Sequence, residues 1–149
     1  MSSKSDIDRT LRALLQTCRT LAVVGLSPRP DRPSHEVAEY LQAHGYRIVP
    51  VNPAAAGQQI LGEHVYATLR EADAALRAQS QVIDLVDVFR KSEDVLPIAD
   101  EAVSIHAQCL WLQLGVVNDA ALARAHAAGL AAVQNRCLKI DHQRLMMAG

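Results

Sequence analysis

Short apolar runs rich in β-branched residues alternate with longer stretches at helical spacing along nearly the whole chain, and this alternation limits the fold more than any single motif. The runs are Thr20 to Val24, Arg47 to Val51, Val82 to Val88, Cys109 to Gln113 and a short Ala131 to Gln134, with a less regular third segment at Gln59 to Leu61 or His64 to Tyr66. Helix patterns fill the gaps at His35 to His44, Thr68 to Gln79, Glu93 to His106 and from Asn118 to a stop at Gly129. Ser34, Ser92 and Asn118 are suitable N-caps, and Gly45 and Gly129 are suitable stops.

An opening helix at about Asp6 to Thr17 sets Ile7, Leu11, Leu14 and Leu15 on one face, as a lid for the sheet edge would require. Pro50 lacks a ladder donor, which puts the second strand near an edge. Repeated βα units with right-handed crossovers predict an α/β, Rossmann-like, doubly wound parallel sheet of five or six strands with helices on both faces. The expected order has the third segment outermost, followed by the strands at 47–51, 20–24, 82–88 and 109–113.

A chain of 149 residues, half of them apolar, suits one domain and one core spanning 1–149. Its 15 Lys and Arg against 16 Asp and Glu give a net charge of -1, so a general nucleic-acid footprint is excluded and any cationic function must be local. Aromatic residues are too scarce for base-stacking platforms. No apolar stretch is long enough to span a bilayer, and Met1 to Asp6 lacks the apolar core of a secretion signal, so a cytoplasmic protein without membrane partners is expected. Cys18, Cys109 and Cys137 are widely spaced, which fits reduced thiols better than disulfides or zinc.

The first strand runs directly into Gly25-Leu26-Ser27-Pro28-Arg29-Pro30-Asp31-Arg32-Pro33-Ser34-His35, with a helix immediately behind. Such a turn offers backbone N–H groups and a positive helix end to an anion, and here it carries two arginines. The G-x-G-x-x-G dinucleotide fingerprint is absent, since only Gly25 is present. The acidic residue that holds a ribose after the second strand of NAD domains is also missing: no carboxylate occurs between Glu39 and Glu63. Ligands of this architecture bind outside the carboxyl ends of the strands, which brings in Asn52-Pro53, Asp87 to Lys91 and Gln113 to Gly115.

Other candidates have plainer readings. Asp84 and Asp87 are three apart on a strand and point to opposite faces, so one packed, hydrogen-bonded carboxylate and one loop-capping carboxylate are expected rather than a catalytic dyad. The six histidines form no metal motif, and only His35, at a helix start, is positioned to meet a phosphate. Cys137 has Arg136 and Lys139 beside it, an environment that can activate a thiol. Trp111 and Leu112 read as core.

The segments Gly25-Leu26-Ser27-Pro28 with Arg32-Pro33-Ser34-His35, Tyr46 to Pro53, Val86 to Arg90 and Trp111 to Val116 resemble the signatures of the small bacterial and archaeal CoA-binding proteins. The resemblance runs in order from about Leu21 to Leu145, and that family is similar to the CoA-binding domain of the succinyl-CoA synthetase α subunit. It implies coenzyme A as the cofactor, with Gly25, Leu26, Ser27, Pro28 and Arg32 at the phosphates and Ser34 and His35 at the helix start. It further implies Asn52 and Pro53 beside the adenosine, Val88, Phe89 and Arg90 on the next wall, and Gln113 to Gly115 at the mouth toward the pantetheine arm. The second domain that carries a phosphorylated histidine in the synthetases has no counterpart here, nor does a winged helix for DNA.

No complete catalytic set can be assembled, so a carrier, sensor or regulatory module that binds CoA or acyl-CoA ranks above an independent enzyme. An NAD(P)-binding oxidoreductase-like domain and a CoA-binding subunit of a larger acyl-CoA enzyme remain as alternatives, and a protein partner or homo-oligomer stays open.

Overall fold

The structure, a computed structural model, describes residues 3–147; Met1, Ser2, Ala148 and Gly149 lie outside the described residues. Its sheet is built from β1 (Thr20–Val24), β2 (Arg47–Val51), β5 (Leu85–Val88), β6 (Cys109–Leu112) and β7 (Ala131–Val133), all parallel, in the order β2-β1-β5-β6-β7. Strand order therefore reverses between β1 and β5, as a doubly wound sheet requires.

Helices cover both faces. On one, α3 (Leu69–Arg77), α4 (Val95–Ser104) and α5 (Asp119–Ala127) pack against Ala22, Val24, Val86, Val88, Leu110 and Leu112. On the other, α1 (Lys4–Thr17), α2 (Pro33–Ala43) and α6 (Leu138–His142) pack against Leu21, Val23, Leu85, Cys109 and Trp111. The alternation of sheet residues between the two sets is the period-two pleat.

The expected third strand is not a member of this sheet. Gln59–Ile60 and Glu63–His64 form β3 and β4, a separate antiparallel hairpin. Leu61 and Gly62 both take positive φ, 55° and 77°, the geometry of a two-residue hairpin turn whose twist favours antiparallel return. Among the described residues only Tyr66 joins the outer side of β2, through one parallel bridge to Val51, so β2 with Pro50 is an edge strand.

The opening helix also departs from expectation. It is fixed by a capping box between Ser3 and Asp6, but Leu11, Leu14 and Leu15 sit in the core of one sheet face rather than over an edge, while Ile7 is exposed. Arg144 ties this helix to the C-terminal segment, donating to both carboxylate oxygens of Asp8 at 2.8 Å and to Asp141 at 3.1 Å.

Two caps differ as well. The second helix begins at Pro33 with Arg32 as N-cap, because proline fits the first helical position and leaves Ser34 inside the first turn. Ser92 does not cap the fourth helix directly: a 3-10 turn at Ser92–Asp94 precedes it, and the Ser92 hydroxyl accepts from Val117 N at 3.0 Å. Asn118 caps α5 as expected, accepting from Ala121 N at 2.9 Å, and Gly129 follows the helix.

Candidate functional site

A cleft of about 1140 Å³ opens above the carboxyl ends of β1, β5 and β6, at the point where strand order reverses. Its wall is the first loop and first turns of α2 on one side, Phe89 to Lys91 in the middle, and Gln113, Leu114 and Val116 with the α6 region, Leu138–His142, on the other. Arg29, Arg32, Arg90, Lys91 and Lys139 line it, against one carboxylate, Glu36. A third of the cations of a nearly neutral chain are thus gathered at one opening, which is the local concentration the composition demanded.

The first loop is shaped by its own hydrogen bonds. Gly25 N donates to Val51 O at 2.8 Å and prolongs the β1–β2 ladder, after which the chain turns with φ +89°. A Cβ at this position would collide with the Phe89 carbonyl, so glycine is required where the loops after β1 and β5 touch. Ser27 N donates to Ser34 Oγ at 3.0 Å, and Arg29 N donates to Ser27 Oγ at 3.1 Å. Two amides of the loop are therefore spent on its shape, and attraction for an anion falls mainly to the guanidinium groups and the start of α2.

Those guanidinium groups differ in freedom. Arg29 reaches Asp31 at 3.2 Å in an exposed pair, and Arg90 stands 3.9 Å from Asp94. Arg32 has no carboxylate partner among the described residues and is exposed on the cleft wall.

Of the residues singled out from the sequence, Gly25, Ser27, Arg32, Ser34, Phe89, Arg90 and Gln113 line the cleft together. Leu26 and Val88 are wholly buried, so their side chains are core, and neither lines the cleft. His35 is buried within the first turn of α2 and is neither an exposed helix-end residue nor part of the cleft wall. Pro28 is exposed outside the wall, and Gly115, with φ +88°, donates its amide to Asn135 Oδ1 at 2.8 Å.

Asn52 is a brace: its Nδ2 donates to Leu26 O at 3.0 Å while its Oδ1 accepts from Ala54 N at 3.0 Å. Pro53 borders a smaller cleft of about 210 Å³, which shares Arg90 with the main one. Arg90 thus stands between the two openings.

The lining contributed by Lys139, Ile140 and Gln143 had no counterpart among the sequence candidates, and neither did Glu36 in the first turn of α2 and Val37 behind it. Cys137 lines the cleft half-buried, but Arg136 is turned away into a two-pronged pair with Asp141, at 2.8 and 3.1 Å, rather than facing the thiol. Trp111 is core, as expected, with its Nε1 donating to Arg136 O at 2.9 Å.

Asp84 caps as expected, its Oδ2 accepting from Arg19 N and Thr20 N at 2.9 and 3.0 Å. Asp87 departs from expectation: it is packed, wholly buried beside Val23 and Trp111, but neither carboxylate oxygen has a hydrogen-bond partner. Burial pushes its carboxyl well above the ordinary carboxylate range, because the low-dielectric interior favours the neutral acid over the carboxylate. Closed off from solvent, it cannot exchange protons with a ligand in the cleft as the structure stands. No cluster of three metal-ligating side chains occurs among the described residues, and no helix among them is long and apolar enough to cross a membrane.

The family described as CoA binding domain matches residues 19–143. The chain is 37% identical over 132 residues to the uncharacterized protein YneT of Bacillus subtilis (strain 168), covering 89% of this chain and 91% of that one. A solved structure titled as cell-free ID.343 from Thermus thermophilus is 34% identical, with a TM-score of 0.85 over 93% of this chain and 98% of its own. A Rex-family repressor, RSP, solved with beta-NADH, is 16% identical with a TM-score of 0.56 over 88% of this chain and 60% of its own, a likeness of fold alone.

Proposed function

Since this chain belongs to the CoA binding domain family, matched from residue 19 to 143, we propose that it binds coenzyme A across the carboxyl ends of its sheet and acts as a carrier, sensor or regulatory module without catalysis of its own. The observation that carries the reading is the gathering of Arg29, Arg32, Arg90 and Lys91 around one half of a cleft set at the reversal of strand order. Coenzyme A bears a pyrophosphate and a further ribose phosphate, and guanidinium groups suit such oxyanions because their planar donors match two oxygens at once. Gly25 allows the backbone to come close, and Ser27 and Ser34 hold the loop in shape.

Arg90 borders both clefts, which supports an adenosine lying toward Pro53 with the phosphates near Arg90 and Arg32. The pantetheine arm would then follow Phe89 toward Gln113. Asp87, buried away from the cleft wall, favours binding over turnover. A single domain working in the cytoplasm fits the composition.

Calorimetric titration with CoA, dephospho-CoA, NADP and NAD tests the reading. CoA is expected to bind most tightly, with dephospho-CoA weaker because one charged contact is lost. Near-equal affinity for all four would refute it, and tightest binding of NADP or NAD would transfer the site to a nicotinamide cofactor.

A further inference from the structure

The two ends of the main cleft differ in chemistry. Around the loops after β1 and β5 the wall is cationic, with Arg29, Arg32, Arg90 and Lys91. At the loops after β6 and β7 it carries the apolar side chains of Leu114, Val116 and Ile140 and the Cys137 thiol, with Gln113, Gln143 and the single cation Lys139 among them. Leu114 is 62% exposed and Ile140 53% exposed, although large apolar side chains in a soluble domain gain by being covered. Both lie on the wall of one cleft, and the two segments that carry them are tied together by Gly115 N donating to Asn135 Oδ1 at 2.8 Å and Leu138 N to Gln113 Oε1 at 3.5 Å.

We infer that this end receives an apolar acyl chain, so that the preferred ligand is an aliphatic acyl thioester of CoA rather than free CoA. The inference rests on the CoA reading above: once the phosphates are fixed at the cationic half, the thiol end of the pantetheine arm extends toward Leu114 and Ile140. Free CoA leaves those two side chains in water. An aliphatic acyl group covers them and gives the cleft an apolar contact at the end where it has no phosphate to bind.

Charge at this end argues for an uncharged chain. Lys139 is the one cation in this part of the wall, and its Nζ lies 5.5 Å from the centroid of the Tyr40 ring, a cation–π contact that occupies it on the α2 side. The other charged residue nearby, Arg136, is engaged by Asp141. A terminal carboxylate on the acyl group would therefore have to draw Lys139 away from Tyr40 and lose water beside Leu114 and Ile140, whereas an uncharged chain covers them at no such cost. The Cys137 thiol borders the same space, and no covalent step is assigned to it.

The test is equilibrium titration of the whole protein with CoA, acetyl-CoA, butyryl-CoA, hexanoyl-CoA and succinyl-CoA, for the wild type and for Leu114→Ser and Ile140→Ser. Each methylene brought out of water is worth about three- to fourfold in affinity when fully covered. Hexanoyl-CoA is thus expected to bind at least about tenfold more tightly than CoA, and butyryl-CoA more tightly than succinyl-CoA, which has the same number of acyl carbons. Both variants should lower the hexanoyl-to-CoA ratio, and Ile140→Ser, which lies beyond the path of the pantetheine arm, should leave the affinity for CoA within about twofold. Because both side chains are mostly exposed, the variants should keep the wild-type melting temperature. If CoA binds but hexanoyl-CoA binds no better, if succinyl-CoA surpasses butyryl-CoA, or if the ratio is unchanged in both variants, the acyl inference is overturned and the CoA reading stands. If neither CoA nor any thioester binds, both fall together.

Discussion

Ser27 N donates to Ser34 Oγ at 3.0 Å across seven residues, so the hydroxyl at the start of α2 determines the shape of the loop that leaves β1. Because Pro33 occupies the first helical position, Ser34 falls in the first turn with its side chain turned back toward that loop, and it is buried there. Replacing Ser34 by alanine leaves the Ser27 amide without its acceptor. The expected cost in stability is about 1 kcal/mol, near the lower end for a lost hydrogen bond because Ser27 is partly exposed and water can reach it. CoA affinity should fall together with stability, since Ser27 Oγ in turn orders the Arg29 amide at 3.1 Å. Urea denaturation and calorimetry on Ser34→Ala check both; unchanged values for both would show that the tie has no influence on the loop.

Gly25→Ala strains the same loop from its other end. Position 25 has φ +89°, and an added methyl would run into the Phe89 carbonyl and lie 3.1 Å from Arg90 Cδ. The backbone carbonyl is the rigid part of that contact, so the loops after β1 and β5 must move apart. A loss of about 1 to 3 kcal/mol in stability is expected from the left-handed conformation together with the collision. CoA binding should suffer more than stability alone explains, because Arg90 moves with Phe89. A variant of wild-type stability and affinity, measured by denaturation and titration, would contradict this account of the turn.

Several features were open to reading from residue order alone, for physical reasons that can be named. The strands at 20–24 and 47–51 and the Asn118 cap depend on local chemistry, and the structure has them where the pattern puts them. The fourth and fifth parallel strands appear too, the former shortened to Leu85–Val88. The α6 helix escaped notice because two of its inward positions, Asp141 and His142, are polar. Leu138, Asp141, His142 and Leu145 follow helical spacing, but the buried polar pair hides the apolar stripe. Asp141 tolerates the interior through Arg136 and Arg144, and His142 through Tyr40, whose hydroxyl lies 2.8 Å from its Nδ1. The cleft wall formed by Lys139 and Ile140 was missed for the same reason. The third strand was overestimated because the Leu61-Gly62 turn returns the chain on itself after two residues, a decision made by backbone twist rather than apolar content.

Arg32→Ala probes the charge of the cleft without touching the fold. Arg32 is exposed and makes no ion pair among the described residues, and its backbone caps α2 without help from its side chain. The melting temperature should therefore be unchanged. If the guanidinium meets a phosphate in the partly enclosed cleft, CoA affinity should fall by roughly 1.5 to 3 kcal/mol, and the loss should shrink as salt is raised. Arg29→Ala should cost less, because Asp31 already engages Arg29 at 3.2 Å in the free protein. Equal small losses for both variants would mean that neither arginine contacts the ligand.

Asp87 gives the chain a pH dependence whose sign follows from its burial. Its native carboxyl is held in the neutral form by removal from water, so its pKa in the folded protein lies well above its ordinary value of 3.8. Below about pH 4 the carboxyl is protonated in both the folded and the unfolded chain, and its contribution to stability is complete. As pH rises the unfolded chain releases this proton while the native state keeps it, so stability is lost progressively until the pH passes the folded pKa. The limiting slope is about 1.4 kcal/mol per pH unit. Asparagine cannot ionise, so Asp87→Asn should remove this component: the stability of the variant relative to wild type should increase as pH rises above about 4, for as long as the native carboxyl keeps its proton, whatever the offset caused by an unpaired amide in the same place. Denaturant midpoints for the two proteins across that range measure the difference directly. Parallel curves would mean that Asp87 ionises in the native state, which would require water or a cation to reach a side chain now buried between Val23 and Trp111.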